Sequence, residues 1–166
     1  MVPAVESILM ELREEIPVTR RVLERVPSDK LSWKPHERSR SLGELAMHVA
    51  NLPGLAERIA NSDEMTPGAN TPPVANSAAD IRERFEQTAE AAETALGNMT
   101  EQTAFGEWRL VFKGKEVFRK QRVAVLRTAM LNHMYHHRGQ LSVYLRLLDV
   151  PLPMVYGPTA DENPFG

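Results

Sequence analysis

The stretch Leu131-Asn132-His133-Met134-Tyr135-His136-His137-Arg138-Gly139-Gln140-Leu141 lies inside the longest helical pattern of the chain, and its reading governs the rest. A helix turns once in about 3.6 residues, so His133 and His137 project from one face, about 5–6 Å apart. Two imidazoles at that spacing can share one metal ion at ~2.0–2.1 Å each. The surrounding line Val123, Leu126, Met130, His133, His137, Leu141, Tyr144 and Leu148 steps by three and four, which places both histidines on an apolar stripe. A buried polar group without a partner costs about 1–3 kcal/mol, and a metal would satisfy one nitrogen of each ring. A lone His-x-x-x-His is common as a salt-bridged or core-satisfied pair, so the spacing alone does not make a site.

This helix is expected over about Arg119 to Leu148, ending before a Pro-rich tail that starts at Pro151. Three other stretches share its periodicity. The first runs from about Pro3 to Val26, with Pro17 predicting a kink or interruption. The second opens at Ser41, which forms a capping box with Glu44, and continues to Ile59 with a bend at Pro53. Residues 62–76, with Pro67, Gly68, Pro72 and Pro73, read as a loop. The third starts near Ser77 and buries Ile81, Phe85, Ala89, Ala92, Leu96 and Met99. Between Ala104 and Phe118 a Gly-centred turn separates aromatic and β-branched runs, which predicts a short hairpin or irregular excursion. The pattern argues for an all-α fold, a four-helix bundle in one domain over residues 1–166. The loops before the second and third helices are long, so at least one crossover connection is expected.

The second helix carries another histidine in an apolar line: Leu45, His48, Leu52, Leu55, Ile59. The neighbouring line Leu42, Leu45, Val49, Leu52 would leave His48 at the edge of the core. If the second and fourth helices are neighbours, His48 meets His133 and His137, and three imidazoles leave a coordination position open. The chain has no cysteine, which excludes disulfides, iron–sulfur clusters and thiolate sites, so metal ligands must be His, Asp or Glu. No His-Glu-x-x-His and no pair of Glu-x-x-His motifs competes.

Leu131 to Leu141, followed by Tyr144-Leu145-Arg146, resembles the signature of the DinB-like (damage-inducible) family of helical proteins. Leu45-Ala46-Met47-His48-Val49-Ala50 and the tail Tyr156-Gly157-Pro158-Thr159-Ala160-Asp161-Glu162 extend the likeness across most of the chain. The resemblance implies a four-helix bundle of up-down-down-up topology, usually dimeric, with one divalent metal on His48, His133 and His137. Nickel, zinc, manganese and iron are all open. Relatives in that family include thiol-dependent transferases that use bacillithiol or mycothiol, and a mycothiol-dependent maleylpyruvate isomerase. The expected activity is therefore a metal-dependent transfer of a low-molecular-weight thiol, or a hydrolysis, acting on a small molecule. The rival expectation is a non-catalytic metal-binding or dimerisation module.

Other residues carry weaker signals. His136 is turned about 100° from His137 and reads as a packing or dimer residue, and Glu44 as a cap before an orienting partner of His48. Arg138 reads as a surface or interface ion pair, while Tyr135 and Gln140 have no assigned role. Trp108, Phe112 and Tyr156 could wall a pocket or pack in the core. The cations Arg109, Lys113, Lys115, Arg119, Lys120, Arg122 and Arg127 could attract a polyanion. The net charge of −2 and the lack of a nucleic-acid motif favour a solvated surface instead, and no nucleic-acid partner is expected. No apolar run approaches the ~18–20 residues of a membrane span, and a cytoplasmic location is expected.

Overall fold

A computed structural model of the chain describes residues 2–68 and 75–165. Helix α1 (Pro3–Glu24) begins with Pro3, where the missing N–H would have no helical partner anyway, and buries Val5, Ile8, Leu9, Leu12, Ile16, Val22 and Leu23. It runs through Pro17 without interruption. Pro17 lies on the exposed side, where the carbonyl it cannot bond is open to water.

The expected second helix is two helices. α2 (Leu42–Asn51) opens on the Ser41–Glu44 capping box, and α3 (Leu55–Asn61) restarts after Pro53, with Leu55 N donating to Leu52 O. The proline breaks the ladder here because Leu52 and Pro53 are both buried at a crowded turn. Within the loop expected at residues 62–76, β1 (Glu64–Met65) is a short strand, while Pro72 and Pro73 lie outside the described residues. Helix α4 (Ala78–Gly97) starts on a second capping box, Ser77 with Asp80, and buries the face read from the sequence.

A short helix α5 (Glu101–Phe105), capped by Thr100, leads into the hairpin β2 (Glu107–Phe112) and β3 (Lys115–Gln121). Its two-residue turn, Lys113-Gly114, has φ of 50° and 73°, the left-handed pair that matches the twist of a hairpin. β1 joins β2 in parallel, which makes a three-stranded sheet in the order β1-β2-β3. The all-α expectation is corrected to a mostly helical fold with this small sheet. Trp108 drives the hairpin inward: it is buried, and its ring packs against Phe118.

Because Arg119 and Lys120 belong to β3, the last helical stretch starts at Arg122. It comprises α6 (Arg122–Val125), a π-helical turn over Leu126–Asn132, and α7 (His133–Leu147). Arg122 is buried and donates to the carbonyls of Ile59, Ser62 and Glu107 and to Asp63, tying this start to the end of α3 and to the sheet. α4 packs on α1, α2 and α3, and α7 packs on α2 and α1. No helix among the described residues is long and apolar enough to cross a membrane.

The tail returns along α1 and α7. Glu162 pairs with Arg25 at 2.7 Å, Asp161 pairs with Arg146, and Arg21 donates to Met154 O. Arg138, 2% exposed, is ion-paired at 2.5 Å to Glu15 of α1 and donates to Thr19 and to the Tyr156 hydroxyl. This corrects its placement at the surface: the ion pair is intramolecular and buried.

Candidate metal centre

The three histidines read from the sequence converge. His48 comes from the last turn of α2, and His133 and His137 from the first two turns of α7, which packs against it. The Nε2 of His133 lies 3.2 Å from His48 Nε2 and 2.9 Å from His137 Nε2. One ligand nitrogen from each ring falls within 4.8 Å of the others, so the group could hold a metal ion. All three rings are half-buried and flank the core rather than sit in it. That differs from the expected stripe. The wide turn before α7 takes up an extra residue, so the buried line passes from Leu126 and Met130 to Met134, Arg138, Leu141 and Leu145.

The outer nitrogens of His133 and His137 are already engaged. His133 Nδ1 donates to Ala129 O at 3.3 Å, and His137 Nδ1 donates to Gln140 Oε1 at 2.7 Å. With the ring proton on Nδ1, the neutral rings of His133 and His137 turn their Nε2 lone pairs toward each other, and His133 Nε2 faces His48 Nε2 as well. Two lone pairs 2.9 Å apart repel unless a cation stands between them. A proton is a poor candidate for that cation. Burial, together with the positive charge of Arg40 and the neighbouring rings, pushes His48 down to about 3. Burial also lowers His133 and His137. The observed separations suit ligands on one ion, since bonds of about 2.1 Å at right angles put donor atoms about 3 Å apart. Three imidazoles are a donor set for zinc, nickel, iron or manganese.

The neighbours fall into place around the three rings. Glu44 is a cap: its Oε2 accepts from Ser41 N at 2.6 Å, and that bond lowers its pKa. His136 is exposed, with its ring edge-on to His137 at 4.8 Å. Gln140 is a partner the sequence left without a role, and its spacing of three from His137 was the available signal. Tyr135 donates to Glu11 at 2.7 Å. Of the three aromatic residues expected either to wall a pocket or to pack, Trp108 is in the core, Phe112 is exposed on the hairpin, and Tyr156 bonds Arg138 and Glu15. In the basic run, Arg109 pairs with Glu64, Arg119 with Glu107 and Glu116, Arg122 with Asp63, and Arg127 with Glu11.

A protein of Bacillus subtilis (strain 168), YrdA, is 25% identical over 162 residues, spanning 98% of this chain and 93% of its own. Two crystal structures share the fold. The DinB-like protein YjoA of Bacillus subtilis matches with a TM-score of 0.69 at 23% identity, over 96% of this chain and 99% of its own. A DinB-like protein of Bacillus cereus ATCC 10987 matches with a TM-score of 0.70 at 23% identity, over 91% and 97%. The DinB family model matches residues 1–163. With a fold shared along the whole chain and a match of that extent, the chain belongs to the DinB family.

Proposed function

We propose that this chain is a divalent-metal-dependent enzyme in which His48, His133 and His137 hold one ion, and that it acts on a small molecule by thiol transfer or hydrolysis. The observation that carries this reading is the convergence of the Nε2 atoms of the three histidines, with the rings of His133 and His137 fixed from behind at Nδ1. When bound, a divalent ion on three uncharged imidazoles keeps its full charge and lowers the pKa of a thiol or water beside it, giving a nucleophile near neutral pH. The chain's own part is to hold the rings: Ala129 O and Gln140 set the tautomers of His133 and His137, and burial disfavours the protonated form of all three. A low-molecular-weight thiol is the proposed cosubstrate, and nickel, zinc, manganese and iron are the proposed ions.

The finer architecture proposed is a four-helix bundle of up-down-down-up topology, counting α2–α3 and α6–α7 as one member each. A homodimer is proposed too. Val143 and Leu147, one turn apart on α7 and each 58% exposed, support a face covered by a second copy. The cytoplasm is the proposed location.

Metal analysis of untagged protein, with His133→Ala and His137→Ala beside it, tests the reading. About one divalent ion per chain, lost in both folded variants, supports it. Failure of the folded wild-type protein to take up any of the four metals on titration overturns it and leaves a non-catalytic helical module.

A further inference from the structure

The wide turn over Leu126–Asn132 changes which residues share a line. The buried residues Leu126, Met130, Met134 and Arg138 recur at every fourth position, a slower advance than 3.6 residues per turn. Arg127 and Tyr135 each follow one of these residues by one place, so they share the next line. In a plain α-helix the same spacing would leave them about 80° apart. Both reach one carboxylate on α1. Tyr135 donates to Glu11 Oε1 at 2.7 Å, and Arg127 is ion-paired to Glu11 Oε2. Glu15, one turn on, takes Arg138 and Tyr156 in the same way, but those donors come from α7 and the tail. The donors of Glu11 come from within the wide turn and from beyond it.

That turn also sets the tether of the first α7 histidine. His133 N donates to Met130 O, while Ala129 O accepts from the His133 ring at 3.3 Å. Ring direction therefore depends on how the turn is wound. The frame that grips the turn is the one that carries His48. Arg13 and Arg20 of α1 pair with Glu93 and Glu86 of α4, each at 2.7 Å. In turn α4 holds the end of α2: Arg84 donates to Asn51 at 2.6 Å and Thr88 to Ala50 O at 2.5 Å, within one turn of His48. Helices α1, α4 and α2 thus form one support, and Glu11 is where that support holds the wide turn.

We propose that Glu11 is a positioning residue of the three-histidine site. By accepting from Arg127 and Tyr135 together, it fixes the winding of Leu126–Asn132 and with it the direction of His133 and His137 toward His48. The inference rests on the metal reading above and adds the residue that keeps the site assembled. A partly exposed ion pair contributes little to folding by itself, so loss of Glu11 is expected to show at the site more than in stability.

The test uses full-length protein and cobalt(II). Affinity is read by competition with a chromogenic chelator, and coordination geometry by the visible absorption bands of the ion. Glu11→Leu is expected to weaken binding about tenfold and to shift the bands, with the far-ultraviolet spectrum unchanged. Glu11→Gln, which keeps an acceptor oxygen, is expected to recover most of the affinity. Tyr135→Phe, which deletes one hydroxyl, is expected to lose part of it. Ser77→Ala, which weakens the start of α4 without touching the turn, controls for stability alone. A folded Glu11→Leu protein with wild-type affinity and bands overturns the assignment and leaves the metal reading standing. A loss that Ser77→Ala reproduces, or that Glu11→Gln does not recover, does the same. If Glu11→Leu does not fold, Tyr135→Phe decides on the same terms. A wild-type protein that takes up no cobalt overturns the metal reading and the Glu11 assignment with it.

Discussion

The Nδ1 of His137 donates to Gln140 Oε1 at 2.7 Å, one helical turn ahead on the same face of α7. That bond decides which nitrogen of His137 carries the proton, and so which one is free for an ion. Gln140→Leu keeps the size and helix propensity but removes the acceptor. Metal affinity is expected to fall about 10–100-fold with the far-ultraviolet spectrum unchanged, as loss of a ligand-orienting partner does elsewhere. Competition with a chromogenic chelator measures it.

The Arg138–Glu15 pair is buried on both sides, and Tyr156 and Thr19 complete its hydrogen bonding. Removing one partner strands a charge in the core. Arg138→Met is expected to cost about 3–5 kcal/mol, and Arg138→Met with Glu15→Leu markedly less, because no unpaired charge remains. Urea unfolding of the two variants gives the comparison.

Ser77 accepts from Asp80 N, and Asp80 in turn accepts from Ser77 N, at the start of α4. Ser77→Ala is expected to lower stability by about 1 kcal/mol without changing metal content, since α4 carries none of the three histidines. Thermal unfolding and metal analysis of one preparation check both halves of that statement.

Burial lowers the pKa values of His48, His133 and His137 below the ~6.5 of an unfolded chain. Below that value the unfolded chain binds more protons than the folded one, so acid favours unfolding. Metal-free protein is expected to melt at a lower temperature at pH 5.5 than at pH 7.5. His48→Gln, which removes the most depressed of the three groups, is expected to narrow the difference. Calorimetry at the two pH values reads it.

Much of this was legible in the sequence, and the reasons differ by element. Ser41 with Glu44 and Ser77 with Asp80 are local signals, and both helices start where they indicate. The convergence of His48 with His133 and His137 followed from two apolar lines and the assumption that their helices touch. The hairpin was legible from Lys113-Gly114 between β-prone runs, but not its third strand. Glu64 and Met65 pair with β2 from more than forty residues away, and two residues carry no periodicity of their own. The burial of Arg138 was hidden for another reason: a lone arginine on a helix is read as wet. Glu15 and Thr19, in step with Leu12 and Val22 along α1, were the counterpart signal of a polar slot facing the core.

The π-helical turn over Leu126–Asn132 has a consequence for how winding, and not only sequence, specifies the chemistry of the chain. The same seven residues wound at ordinary α-helical pitch would carry everything after them about 100° further round against α6. His133 and His137 would stay four apart and keep their motif intact, yet they would look away from His48. Spacing within the motif and winding before it are therefore separate requirements. A chain that matches this one letter for letter from His133 onward, but winds the same upstream length as plain α-helix, would carry the same ligands with no common point to bind.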